Sequence, residues 1–124
     1  MHVELAVSTD IAASRLDDAE HARAALEAGC AAGSFTVLEV VVRKFDPHGV
    51  TATAIVGESH LTLHTWPEHG SLFVDVASCS TREAARAGMD AILGAYGGRL
   101  LQRRADSMPL SSVPLVPTGS PPKE

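Results

Sequence analysis

The chain has 124 residues, 45% of them hydrophobic and 20% charged, with a net charge of −5. That is enough chain for one domain around a single core and too little for two. The acidic balance and scattered basic residues exclude a nucleic-acid or anionic-membrane binder that works through a basic patch. No apolar run approaches a bilayer span, and the start Met1-His2-Val3-Glu4-Leu5 lacks a signal-peptide pattern. Cys30 and Cys79 form no Cys-x-x-Cys and read as free thiols, so the expected location is the cytoplasm.

Residues 2–8 alternate as a first strand. Residues 14–33 read as one helix, opened by a capping box at Ser14-Arg15-Leu16-Asp17 and stopped by Gly33. Ala22, Ala25, Leu26 and Gly29 form a stripe of mostly small residues that asks for close packing. Val-rich residues 35–45 predict a strand, Asp46-Pro47-His48-Gly49 a turn, and residues 50–56 the next strand. After Gly57 a strand resumes at His60, with Leu61 and Leu63 on one face and His60, Thr62 and His64 on the other. Pro67 ends it. Leu72, Val74 and Val76 mark a further strand. Ser80-Thr81-Arg82-Glu83 is a second capping box, for a helix that puts Ala85, Met89, Ile92 and Tyr96 on one stripe before Gly97-Gly98. Residues 99–104 predict a last short strand. The domain is expected to span residues 1–105. From Asp106 onward five of the seven prolines fall among Ser and Gly, which reads as a disordered tail.

The order β-α-β-β-β-β-α-β predicts an α/β two-layer sandwich, a mainly antiparallel sheet with two helices on one face. The sheet's other face would be open, which favours a dimer stacked sheet to sheet.

One stretch concentrates the chemistry: Gly57-Glu58-Ser59-His60-Leu61-Thr62-Leu63-His64-Thr65-Trp66-Pro67-Glu68-His69-Gly70. Three uses fit an exposed serine among imidazoles. Ser-His hydrolysis would need a carboxylate and an oxyanion hole, and no Gly-x-Ser-x-Gly elbow is present. Metal binding by His60, His64, His69 and Cys79 is disfavoured, because His60 and His64 lie about 13 Å apart on a strand at ~3.3 Å per residue. Self-processing is the third. Ser59 attacks the carbonyl of Glu58, β-elimination cuts the chain, and hydrolysis leaves a pyruvoyl ketone at a new N-terminus. Such a ketone forms a Schiff base with a substrate amine and serves as an electron sink.

Residues 58–68, Glu-Ser-His-Leu-Thr-Leu-His-Thr-Trp-Pro-Glu, resemble the processing motif of the small prokaryotic pyruvoyl-dependent S-adenosylmethionine decarboxylase proenzymes. The resemblance extends more loosely over residues 35–80, and in element order to about residue 104. It implies cleavage between Glu58 and Ser59, with Ser59 the precursor of the covalent pyruvoyl cofactor. It implies that His64 assists processing, that Thr51 stands for a supporting hydroxyl, and that Cys79 donates a proton after carbon dioxide leaves. It further implies that Phe45 stacks on adenine, that Glu68 binds the ribose hydroxyls, and that sites are shared between protomers of a sheet-to-sheet homodimer. Trp66 is read as pocket wall or core. His60 follows the cut and at least fixes the turn. His48 and His69 read as solvated turn residues, and His21 and Cys30 as structural.

The expected function is therefore a self-processing decarboxylase of S-adenosylmethionine, feeding polyamine synthesis. Relatives with the same core act on ornithine or arginine, and the altered N-terminal segment keeps that alternative open. An inactive relative that binds a ligand or partner is the alternative from another class. No metal, nucleic acid or membrane is expected.

Overall fold

A computed structural model describes residues 1–110. Six strands form one sheet: β1 His2–Thr9, β2 Val37–Lys44, β3 Val50–Val56, β4 Ser59–Trp66, β5 Ser71–Ser78 and β6 Arg99–Ser107. Their spatial order is β2-β3-β4-β5-β1-β6 and every neighbouring pair is antiparallel. Three helices accompany them, α1 Ala13–Leu16, α2 Ala19–Ala32 and α3 Arg82–Tyr96, and a 3₁₀ turn covers Pro67–His69.

The core lies between the sheet and the pair α2–α3. Ala52, Ala54, Leu61, Leu63, Leu72, Val74 and Val76 line its sheet side, and Ala22, Leu26, Ala85, Met89, Ile92 and Tyr96 face them, all buried. Period-two alternation in the strands supplies the first set, and the 3.6-residue period of the helices supplies the second. The small-residue stripe works as its composition predicts. A Cβ on Gly29 would sit 2.8 Å from Ile92 Cγ1 and 3.1 Å from the Gly88 carbonyl oxygen, so α2 and α3 touch through glycine. The opposite sheet face carries Thr51, Thr53, Ile55, His60, Thr62, His64, Phe73 and Asp75, and among the described residues no layer lies over them. The two-layer α/β architecture and the open face agree with the sequence reading.

Four local expectations are corrected. The helix over residues 14–33 is two pieces. Ser14 caps nothing; α2 starts at the Asp18 cap, whose Oδ1 accepts from the N–H groups of Glu20 and His21. Two successive aspartates make better caps than helix interior, and Asp17 is drawn away to accept from Gly49 N–H at 2.8 Å and to pair with Lys44. Both contacts, Lys44 foremost, hold the Asp17 carboxyl below its ordinary range. The cap of α3 is Thr81, which accepts from Ala84 N–H, while Ser80 bonds Ser78. The second strand is shorter than residues 35–45, because Phe35 turns into the core and packs on Gly33 and Gly88. The strand after Gly57 begins at Ser59, one residue before His60.

The last strand is longer than residues 99–104. It follows β1 along its whole length, pairing His2 with Ser107, and Met1 and Met108 bond beyond it. Asp106 and Ser107 therefore belong to the sheet, not to a tail. The disorder expected further on falls on residues 111–124, outside the described residues. Among the described residues no helix is long and apolar enough to cross a membrane.

Candidate active site

The hairpin between β3 and β4 turns on Gly57 and Glu58 alone. Its backbone is tied to the start of β2: Gly57 N–H donates to the Thr36 carbonyl at 2.8 Å. The Glu58 side chain reaches the same residue, accepting from Thr36 N–H at 3.0 Å and from Thr36 Oγ1 at 3.2 Å. That amide, chiefly, holds the Glu58 carboxyl below its ordinary value. The Glu58 carbonyl oxygen points the other way and accepts from the backbone N–H of Cys79 at 2.9 Å.

Ser59 follows with φ of 139°. An L-residue there is strained on the order of 1–3 kcal/mol. The strain sits on the residue that supplies the nitrogen of the Glu58–Ser59 bond. Ser59 pairs with Ser78, the residue before the exposed Cys79. One end of the sheet thus brings together Glu58, Ser59 and Cys79, with the Glu58 carbonyl already polarised by a backbone donor.

The other end holds the rest. His64 Nδ1 and Thr51 Oγ1 are 2.9 Å apart across the β3–β4 pair. The His64 ring stacks on Phe73, centroids 6.0 Å apart, and lies 6.2 Å from Trp66. Trp66 is 43% exposed and Phe45 47%, so neither is core, and the core alternative for Trp66 is set aside. Glu68 pairs with His48 at 3.1 Å, which makes His48 more than a solvated turn residue. The loop that carries Phe45 and His48 is closed by Phe45 N–H on the Gly49 carbonyl and anchored by Asp17 on Gly49 N–H. His69 lies in the 3₁₀ turn. His21 is structural as expected, with Nε2 2.9 Å from the Ala95 carbonyl oxygen and its ring against Tyr96. Cys30 is buried, which pushes its thiol pKa up.

The expected residues therefore form two clusters, not one. Five residue steps along β4 separate Ser59 from His64, roughly 16 Å at ~3.3 Å per residue. Within one chain the Ser59 hydroxyl and the His64 imidazole cannot meet.

Three participants were given no role from the sequence. Thr36 is the partner of Glu58. Thr65 is buried and ties β4 to α1 and β3, donating to the Leu16 carbonyl and accepting from Val50 N–H. Asp75 lies 2.8 Å from His60 Nε2. Only Asp75 left a usable signal: strand alternation puts Phe73 and Asp75 on the His60–His64 face.

An antiparallel sheet under two helices, with a strained serine at a strand mouth and a polarised carbonyl before it, defines a two-layer α/β class with its candidate site at the β3–β4 turn. A sequence model described as S-adenosylmethionine decarboxylase matches residues 4–102, and the chain belongs to that family. The S-adenosylmethionine decarboxylase proenzyme of Aquifex aeolicus (strain VF5) is 37% identical over 81 residues, covering 65% of this chain and 60% of the relative. The proenzyme of Synechococcus sp. (strain WH7803) is 39% identical over 66 residues, covering 53% and 52%. The matches thus span about half to three-fifths of these curated relatives. The crystal structure of the adenosylmethionine decarboxylase from Aquifex aeolicus VF5 superposes with a TM-score of 0.80 at 28% identity, covering 91% of this chain and 96% of that one.

Proposed function

We propose that the chain is a proenzyme that cuts itself between Glu58 and Ser59 and then decarboxylates S-adenosylmethionine. The observation that carries this reading is the state of the bond to be cut. The Glu58 carbonyl accepts a hydrogen bond from Cys79 N–H, and Ser59 is held at a positive φ beside it.

In the first step Ser59 Oγ bonds to the Glu58 carbonyl carbon. The Cys79 amide holds the oxygen that becomes negative, as an oxyanion donor does. The carbon–nitrogen bond breaks and leaves an ester and a free amine, which releases the strain at Ser59. Loss of the Ser59 α-proton then expels the Glu58 carboxylate and severs the chain. Hydrolysis of the resulting enamine, with loss of ammonia, leaves the pyruvoyl group on residue 59. These residues fit the making of that group: a hydroxyl, a polarised carbonyl and a backbone donor lie together. Once formed, it supplies a ketone that condenses with the substrate amine and takes up the electrons released with carbon dioxide.

The remaining roles belong to this chain's own side chains. Cys79 Sγ is exposed one residue beyond the partner of Ser59, and supplies the proton to the carbon that loses carbon dioxide. Thr51 orients His64, whose imidazole takes up the Ser59 α-proton of the partner protomer as the ester is eliminated. Phe45 presents an exposed ring to stack on adenine, and Glu68, steadied by His48, accepts from the ribose hydroxyls. The roughly 16 Å between the clusters is resolved by a homodimer whose open sheet faces stack. A two-fold axis then brings Ser59 and Cys79 of one protomer to His64 and Glu68 of its partner. The uncovered face, with half-exposed Val41, Ile55 and Trp66, supports this arrangement.

Mass spectrometry of the purified protein tests the reading together with carbon dioxide release from S-adenosylmethionine. Two fragments, 1–58 and 59–124, are expected, the second carrying a carbonyl in place of its amine. Ser59→Ala should stay whole and inactive. Cys79→Ala should be cut and turn over slowly. A whole wild-type chain, or normal activity in Ser59→Ala, refutes the proposal.

A further inference from the structure

His60 has two contacts that a passive strand residue does not need. Its Nε2 lies 2.8 Å from Asp75 Oδ1, and its Nδ1 lies 3.5 Å from Ser59 Oγ. Successive strand residues normally point to opposite faces. Here the positive φ of Ser59 breaks that alternation, and its hydroxyl comes round to the neighbouring ring. A cross-strand hydrogen bond explains His60–Asp75 by itself, but it does not explain the approach to Oγ.

The order carboxylate, imidazole, hydroxyl has a definite proton logic. Asp75 accepts the Nε2 proton, so Nδ1 keeps its lone pair and faces Ser59. The spacing of 3.5 Å is at the outer limit of hydrogen bonding. Bases in resting sites often stand this far off and close in as the reaction begins. His64 of the same chain is roughly 16 Å away along the strand, and the partner's His64, which the proposed dimer brings here, is left for the later step, loss of the Ser59 α-proton.

From this geometry we infer that His60, positioned by Asp75, is the base that activates Ser59 for self-cleavage. The inference rests on the cut between Glu58 and Ser59 proposed above and adds the residue that starts it. As Ser59 Oγ bonds to the Glu58 carbonyl carbon, the hydroxyl proton passes to His60 Nδ1. As the carbon–nitrogen bond breaks, that proton passes to the departing nitrogen of residue 59. His60 ends as it began, and no outside reagent is consumed. Asp75 stabilises the imidazolium in between and touches no reacting atom, so it is a positioning residue.

The test follows freshly synthesised chains by denaturing gel and intact mass. Wild type, His60→Ala, Asp75→Asn and Ser59→Ala are compared, with circular dichroism and a thermal midpoint for each whole chain. His60→Ala should be cut on the order of a hundredfold more slowly, the usual scale of a lost general base. Asp75→Asn should be slowed less, and added imidazole should speed His60→Ala but not Ser59→Ala. Hydroxylamine, which cleaves esters and spares amides, should leave uncut His60→Ala intact. Cutting of His60→Ala at the wild-type rate overturns the inference and leaves self-cleavage standing. Hydroxylamine-sensitive His60→Ala also overturns it, because the serine would then have attacked without this base. Slow cutting that imidazole does not relieve, with a lowered thermal midpoint, marks a structural role and overturns it too. A wild-type chain that stays whole removes the proposed function itself.

Discussion

Two inactive variants should restore one another when mixed. Ser59 and His64 stand five residues apart on β4, roughly 16 Å, and the proposed dimer joins Ser59 of one protomer to His64 of the other. Take Ser59→Ala chains and His64→Ala chains, co-expressed in equal amounts with different tags. Each homodimer carries one lesion in both sites. In the heterodimer one site collects both lesions, and the other combines the intact Ser59 of one chain with the intact His64 of the other. Random two-fold pairing makes about half of the dimers mixed, with one good site in each. About half of the His64→Ala chains should then be cut, and activity should reach about one quarter of wild type per site. Tag-resolved mass spectrometry reads the cutting, and carbon dioxide release reads the turnover. If both variants stay uncut and inactive while tag pull-down proves that heterodimers formed, the two clusters do not combine across protomers. The geometric reasoning is then refuted.

Gly29→Val should destabilise the fold by about 1–3 kcal/mol, the usual cost of overpacking. Its Cβ meets Ile92 Cγ1 at 2.8 Å and the Gly88 carbonyl oxygen at 3.1 Å, and the carbonyl cannot rotate away. An unchanged urea midpoint would contradict the close α2–α3 contact. Glu58 should make the turn acid-labile. Its carboxyl pKa is depressed in the fold, chiefly by the Thr36 amide, from an ordinary value of 4.5. Its contribution is therefore complete above that value and is lost as pH falls through the lower folded one. With both chains also carrying Ser59→Ala, the thermal midpoint of the Glu58 chain should exceed that of Glu58→Ala at neutral pH. That gap should shrink in acid. A gap that widens as pH falls has the wrong sign for this hydrogen-bonded carboxylate.

Alternation and helical period by themselves determined most of the architecture, because burying one face of each element is a local constraint. Leu61 and Leu63 against His60, Thr62 and His64 already separated core from open face. The stripe Ala85, Met89, Ile92, Tyr96 likewise oriented α3. The run from Glu58 to Glu68 pointed to the chemistry through its resemblance to a family motif; the residues alone left hydrolysis, metal binding and self-processing open. Boundaries were less legible. Asp17 left its helix for Gly49 and Lys44, and β6 ran on to Ser107 beside β1; both depend on partners distant in sequence. The same limit governed the site. Thr36 on Glu58, the Cys79 amide on the Glu58 carbonyl, and Asp75 on His60 are contacts between strands whose register no single strand encodes. Strand spacing already held the ends of the motif apart, and the assembled sheet decided which residues meet at each end, Cys79 with Glu58 and Thr51 with His64. An extended backbone carries five residues roughly 16 Å apart, so closeness in sequence there meant separation in space.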